Sequence, residues 1–134
     1  MRLYRAMAAV LAASFAAVGL LFLFFPGGVL AFFNSLSAAL GFREAPLTGF
    51  QFYLVLASGY MYLVALLAGL MFRHPENETY SRLLVHGKLA TALLSLGFFM
   101  FHQPFLIYLA NFLVDGLIGL GVWALIRGQR RSTR

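Results

Sequence analysis

The stretch His102–Arg131, HQPFLIYLANFLVDGLIGLGVWALIRGQRR, decides the fold. Phe105 to Ile126 is a continuous apolar run interrupted by one charged side chain, Asp115, close to its middle. An α-helix rises about 1.5 Å per residue and a bilayer core is about 30 Å thick, so about 20 apolar residues suffice to cross it. The run therefore reads as a transmembrane helix. Arg127, Arg130, Arg131 and Arg134 follow it as a basic tail.

Upstream lie three further runs of the same kind, at about residues 6–25, 50–72 and 83–101. Four such spans occupy about 80 positions, too many to leave room for a separate soluble domain in 134 residues. The composition agrees. Hydrophobic residues make up 62%, charged residues 10%, and the mean hydropathy is +0.86. A soluble domain holds about 45–50% apolar and about 25% charged residues, and disordered chains are polar. The sequence predicts an all-α integral membrane protein, a single domain over residues 1–134 with four antiparallel helices.

The first run follows Arg2 and Arg5 and is too long for a signal-peptide core, so it is expected to be retained. Ala9, Ala13 and Ala17 recur every fourth position and predict a face that a neighbouring helix can approach closely. Pro26-Gly27-Gly28 ends this helix. The segment 29–42 stays apolar but is too short to span. Val29, Phe33, Leu36 and Leu40 share one side, with Asn34, Ser37 and Gly41 largely on another, which predicts an interfacial or re-entrant helix. His102-Gln103-Pro104 is short enough to force the third and fourth spans into a hairpin.

Basic residues orient the chain. Of ten Lys and Arg, nine fall at the N-terminus, in or beside the loop at 73–82 (Arg73, Arg82, Lys88), and in the tail; Arg43 alone falls on the other side. The positive-inside rule then places both termini in the cytoplasm of a cell whose inner membrane the protein spans. The net charge of +6 is explained by this topology rather than by nucleic acid.

Asp115 is the one charge that topology leaves over. A carboxylate at mid-membrane costs about 2.5–3.5 kcal/mol on insertion scales, so it is expected to face the bundle, find a partner or take up a proton. Asn111 lies one turn away on the same face and Tyr108 continues the stripe. On the third span Lys88, Thr91, Ser95 and His102 share a face, and a hairpin can turn that face toward Asp115, with Lys88 within reach for an ion pair. The second span offers Gln51, Ser58 and Tyr62, with Ala65 and Gly69 beyond. Asp115, Lys88, Asn111, Ser95, Thr91, Tyr62, Ser58 and Tyr108 form the candidate intramembrane polar site. Gly119 is expected to make room there for a helix or a ligand.

Other chemistry is set aside. There is no cysteine, hence no thiolate, disulfide or iron–sulfur ligand. His86 and His102 are about 24 Å apart along one helix and cannot share a haem iron. His74, Glu76, Glu78 and His86 match no metal-ligand spacing. Phosphate loops, nucleophile elbows and zinc-protease helices are missing from the sequence. Asn77-Glu78-Thr79 fits a glycosylation pattern but falls on the expected cytoplasmic side. No catalytic residue, cofactor or metal is expected.

Phe25-Pro26-Gly27, His102-Gln103-Pro104 and the lone Asp115 give a layout that resembles small four-helix membrane proteins of the DoxX-like type. The resemblance is one of architecture and implies no particular activity. The expected function is that of an accessory or binding subunit, whose polar interior holds a lipid-like or amphiphilic ligand or docks a partner helix. An oligomeric proton-coupled exporter or channel using Asp115 is the alternative, and a redox or lipid-modifying enzyme a third. Expected partners are membrane lipids and a membrane protein or further copies of the chain, with no nucleic acid. Topology is checked by fusions: alkaline phosphatase joined after Arg134 is expected to be inactive in cells, and the same reporter inserted between Arg43 and Thr48 active.

Overall fold

The computed structural model describes residues 2–49 and 51–132, with side chains except at 51, 52, 54 and 129–132. The side chains of Gln51, Arg130 and Arg131 and all of Phe50 and Arg134 lie outside the described residues. Five helices follow in order: α1 (Arg2–Phe24), α2 (Pro26–Leu40), α3 (Gln51–Arg73), α4 (Glu78–Phe101) and α5 (Leu106–Ser132). Four of them, all but α2, are long and apolar enough to cross a membrane.

Local chemistry sets the boundaries. Pro26 does end α1, but it also opens α2 directly, because proline at a first helical position sacrifices no hydrogen bond. The short apolar helix therefore starts three residues before the expected Val29. Its C-terminus closes on Gly41 in the left-handed conformation at φ 73°, with the Phe42 N–H donating to Ser37 O. α4 begins at Glu78, five residues ahead of the expected span, because the Asn77 side chain accepts from the Thr79 N–H as an N-cap. The same asparagine carries the glycosylation pattern.

α1 lies along α3, and α4 along α5; the two pairs meet chiefly where α3 touches α4, while α2 touches α1 and α5. The core takes Tyr4, Ala8 and Phe15 from α1, Val64, Ala68 and Met71 from α3, Leu84 and Val85 from α4, and Val122 and Ile126 from α5. Outward faces are rich in large apolar side chains, among them Val10, Val55, Leu93, Leu94 and Leu117.

One expectation about a helix face is corrected. Ala9, Ala13 and Ala17 are exposed. The close approach of α1 to α3 uses Ala8, Ala12 and Gly19 instead, and a methyl at Gly19 would sit 3.0 Å from Met61 Cβ. This register buries the large rings of Tyr4 and Phe15, which outweighs the burial of three alanine methyls. In α2 the buried residues are Asn34 and Ser37, while Phe32, Leu36 and Leu40 are exposed. Asn34 donates to Ala45 O at 2.8 Å and accepts from Ala45 N at 2.9 Å, fixing the loop that follows. Arg43 in that loop donates to Gln103 Oε1 at 2.9 Å and forms a lone β-bridge with Phe105, tying it to the α4–α5 connection.

The α4–α5 seam depends on small residues. A Cβ at Gly119 would lie 3.0 Å from Leu89 Cδ2 and 3.5 Å from Lys88 Cβ, and one at Gly116 would lie 3.9 Å from Ala92 Cβ. Gly121, by contrast, faces open space. Gly119→Val is expected to destabilise the protein by about 1–3 kcal/mol through overpacking, and Gly121→Val to have a much smaller effect. Unfolding of both variants in the same detergent checks this.

Candidate functional site

The polar site is built where α4 and α5 meet. Lys88, Thr91 and Ser95 lie at i, i+3 and i+7 on α4, and Asn111, Asp115 and Gly119 at successive turns of α5, so each set shares a face. Gly119 lets the backbones come together beside Lys88, and the lysine stem then extends to the neighbouring turn of α5. Lys88 Nζ reaches 2.7 Å from Asp115 Oδ1, with Lys88 1% and Asp115 3% exposed. A buried pair of this kind is tolerable only when the remaining donors and acceptors are also satisfied.

They are. Thr91 Oγ1 donates to Asp115 Oδ2 in a short hydrogen bond. Its single proton is thereby used, so Tyr60 Oη, 3.4 Å away, donates to Thr91. The rest of the Lys88 ammonium faces aromatic rings: Phe15 of α1 at 4.4 Å and Tyr60 of α3 at 5.1 Å from the ring centres. Such cation–π contacts gain strength when water is excluded. Four helices thus contribute to one charge: α4 supplies it, α5 neutralises it, and α1 and α3 cover it.

One turn farther along, Asn111 Nδ2 donates to Ser95 Oγ at 2.6 Å. Asn111, Asp115 and Lys88 together reach the wall of a cavity of about 360 Å³. Apart from Ser14 its other walls are apolar, with Phe15 and Val18 from α1, Val29 and Phe33 from α2, and Val114 and Ile118 from α5. The cavity lies where α1 and α5 do not pack along one another among the described residues, with residues of both helices in its lining. It is a greasy slot with a polar floor.

Of the eight candidates, Asp115, Lys88, Thr91, Asn111 and Ser95 come together here. Tyr62 does not. It is 70% exposed, because the buried side of α3 is set by Val64, Ala68 and Met71, and position 62 points about 200° round the helix from Tyr60. Ser58 Oγ is buried without a hydrogen-bond partner among the described residues. Tyr108 packs between Phe98 and Phe105, with ring centres 5.7 and 5.8 Å away, and His102 is exposed and stacked on Phe98. Both belong to the α4–α5 connection. Tyr60 and Phe15 are the residues that sequence reasoning missed. Tyr60 stands one helical turn before Val64 and two before Ala68, the spacing that marks the inner face of α3.

His74 sits 3.6 Å from Glu76, with its ring near Tyr80, and His86 borders a separate groove with Arg82 and Trp123. Among the described residues no three His, Asp or Glu side chains converge as metal ligands. No family model, curated protein or solved structure matches the chain, and the comparisons give the DoxX-like resemblance no support.

Lys88→Met and Asp115→Leu are each expected to cost about 3–5 kcal/mol, since each strands a buried charge. The double variant is expected to cost far less than the sum. A double-mutant cycle measured by reversible unfolding in detergent reads the coupling.

Proposed function

We propose that the protein is a small multi-pass membrane protein acting as an accessory or binding subunit, and that its lateral slot holds a lipid-like or amphiphilic molecule. The observation carrying this reading is the slot itself: about 360 Å³ of space with apolar walls, ending on Lys88, Asn111 and Asp115. That volume is at the lower end of small-molecule sites. A partner helix, about 10 Å across, would cover the mouth of the slot rather than enter it. An amphiphile fits the polarity, with its polar end at Asn111 and Asp115 and its chain along Val114, Ile118 and Val29.

The wider reading places the four long helices antiparallel across the cell membrane. In its support, Lys88 packs at Gly119, Ala92 at Gly116 and Ser95 at Asn111, so partners advance along α4 as they retreat along α5. The start of α1, the end of α3, the start of α4 and the end of α5 share core contacts, as they would at one membrane face. Arg43 joins the α4–α5 connection, as it would at the other. Both termini are then cytoplasmic, on the side richer in Arg and Lys.

The carrier alternative requires Asp115 to exchange its partner during each cycle. Nothing about the buried Lys88–Asp115–Thr91 cluster favours that over a fixed structural role.

Photolabelling tests the binding reading. With the protein in lipid nanodiscs, a diazirine-bearing long-chain alcohol is expected to label residues around the slot, chiefly in α5 near Val114 and in α1 near Val18. Excess unlabelled alcohol should suppress this labelling, and Val114→Trp should fill the slot and remove it. Labelling spread evenly over outward positions such as Val55, Leu63 and Leu94, and insensitive to Val114→Trp, would defeat the proposal.

A further inference from the structure

A second groove, of about 490 Å³, opens between the first turns of α4 and the last turns of α5. Its floor is apolar: Val85 and Ile126 are both 5% exposed, and Leu89 adjoins them. Two cations stand on its rim, Arg82 on α4 and Arg127 on α5, with His86 of α4 beside them, all exposed. The Arg127 guanidinium carbon lies 3.6 Å from the centre of the Trp123 ring. A guanidinium stacked flat on an indole keeps its in-plane N–H donors directed outward, where they suit a phosphate. Arg82 holds Glu78 at 2.8 Å through Nη2. A guanidinium has five N–H donors, so this bond leaves Arg82 able to bind a second anion.

We propose that this groove is a binding site for one anionic phospholipid, its phosphate held by Arg82 and Arg127 and the upper part of an acyl chain lying on Val85, Leu89, Ile126 and Trp123. Charge complementarity names the occupant. Two arginines and a histidine ring an apolar trough, and an anionic phosphodiester carrying hydrocarbon matches both parts. A free phosphate would leave the trough uncovered, and a zwitterionic lipid would set its own cation against the arginines. Basic pockets between helices on the cytoplasmic side are a known way of holding anionic headgroups. Trp123 fits the same level, since tryptophan concentrates where hydrocarbon meets headgroup. The proposal rests on the membrane placement argued above but not on occupancy of the Asp115 slot.

The chain has a single tryptophan, and it forms the wall of this groove, so the site reports on itself. The full-length protein is placed in phosphatidylcholine vesicles containing a small fraction of phosphatidylglycerol or of phosphatidylcholine brominated on the acyl chain. Brominated phosphatidylglycerol is expected to quench Trp123 at severalfold lower mole fraction than brominated phosphatidylcholine, with saturation. Arg82→Gln, which leaves the Arg127–Trp123 stack untouched, is expected to reduce that preference about fivefold. Arg127→Lys, which loses the stacked guanidinium, should also reduce it, whereas joint replacement of Arg130, Arg131 and Arg134 by Gln, and Asp115→Asn, should each retain most of it.

Equal quenching by the two lipids overturns the proposal. So does a preference that survives Arg82→Gln but vanishes with the tail arginines, which would mean general attraction to the surface. Displacement of brominated phosphatidylglycerol by millimolar glycerophosphate would also overturn it, by making a soluble phosphate ester the occupant. Failure of the membrane placement looks different: neither brominated lipid would then quench Trp123 at all.

Discussion

A lysine and an aspartate buried this deeply among helices can be retained only together, and much of the helix arrangement around them serves to keep them so. The 2.7 Å contact requires α4 and α5 to be close beside Lys88, and Gly119 supplies that closeness. Thr91 is needed because the second carboxylate oxygen would otherwise be a stranded acceptor. Phe15 and Tyr60 are needed because the ammonium has faces that Asp115 does not touch. α1 and α3, which contribute no charge to this centre, each turn one ring toward it.

The arrangement does not close into a complete ring. α1 and α5 stay apart, and the gap between them becomes the slot that reaches the polar cluster. A closed bundle would have sealed Lys88 and Asp115 in a dry core with a purely structural role. Here the same pair is buried by its own neighbours yet borders a cavity, which is why a stabilising ion pair and a ligand floor are compatible descriptions of one cluster. The basic groove outside α4 and α5 lies on the far side of that seam, so the two cavities are built from different faces of the same helices.

Helix number and approximate length were legible in the sequence because about 20 apolar residues in a row have few other uses. The Lys88–Asp115 approach was legible because helical spacing put polar residues in matching stripes on two helices joined by a short connection. Rotation of the other helices was harder to read. On α3 every side is apolar enough to be buried, so the choice between Tyr60 and Tyr62 rested on Val64, Ala68 and Met71, which carry no polar signal. On α1 the alanine stripe at 9, 13 and 17 competed with an equally regular one at 4, 8, 12 and 15, and the larger buried area of Tyr4 and Phe15 prevailed. Helix starts were displaced for a different reason: Pro26 and Asn77 act as initiators as well as breakers.

The double hydrogen bond between Asn34 and Ala45 works as a mechanical link. It joins α2, whose Val29 and Phe33 wall the slot, to the loop whose Arg43 grips Gln103 at the α4–α5 bend. An outward tilt of α2 would widen the slot and at the same time pull, through Ala45 and Arg43, on the turn that sets the spacing of the hairpin. The width of the cavity and the posture of its floor are in this way parts of one linkage, and a molecule wedging the slot open would transmit that strain to the start of α5.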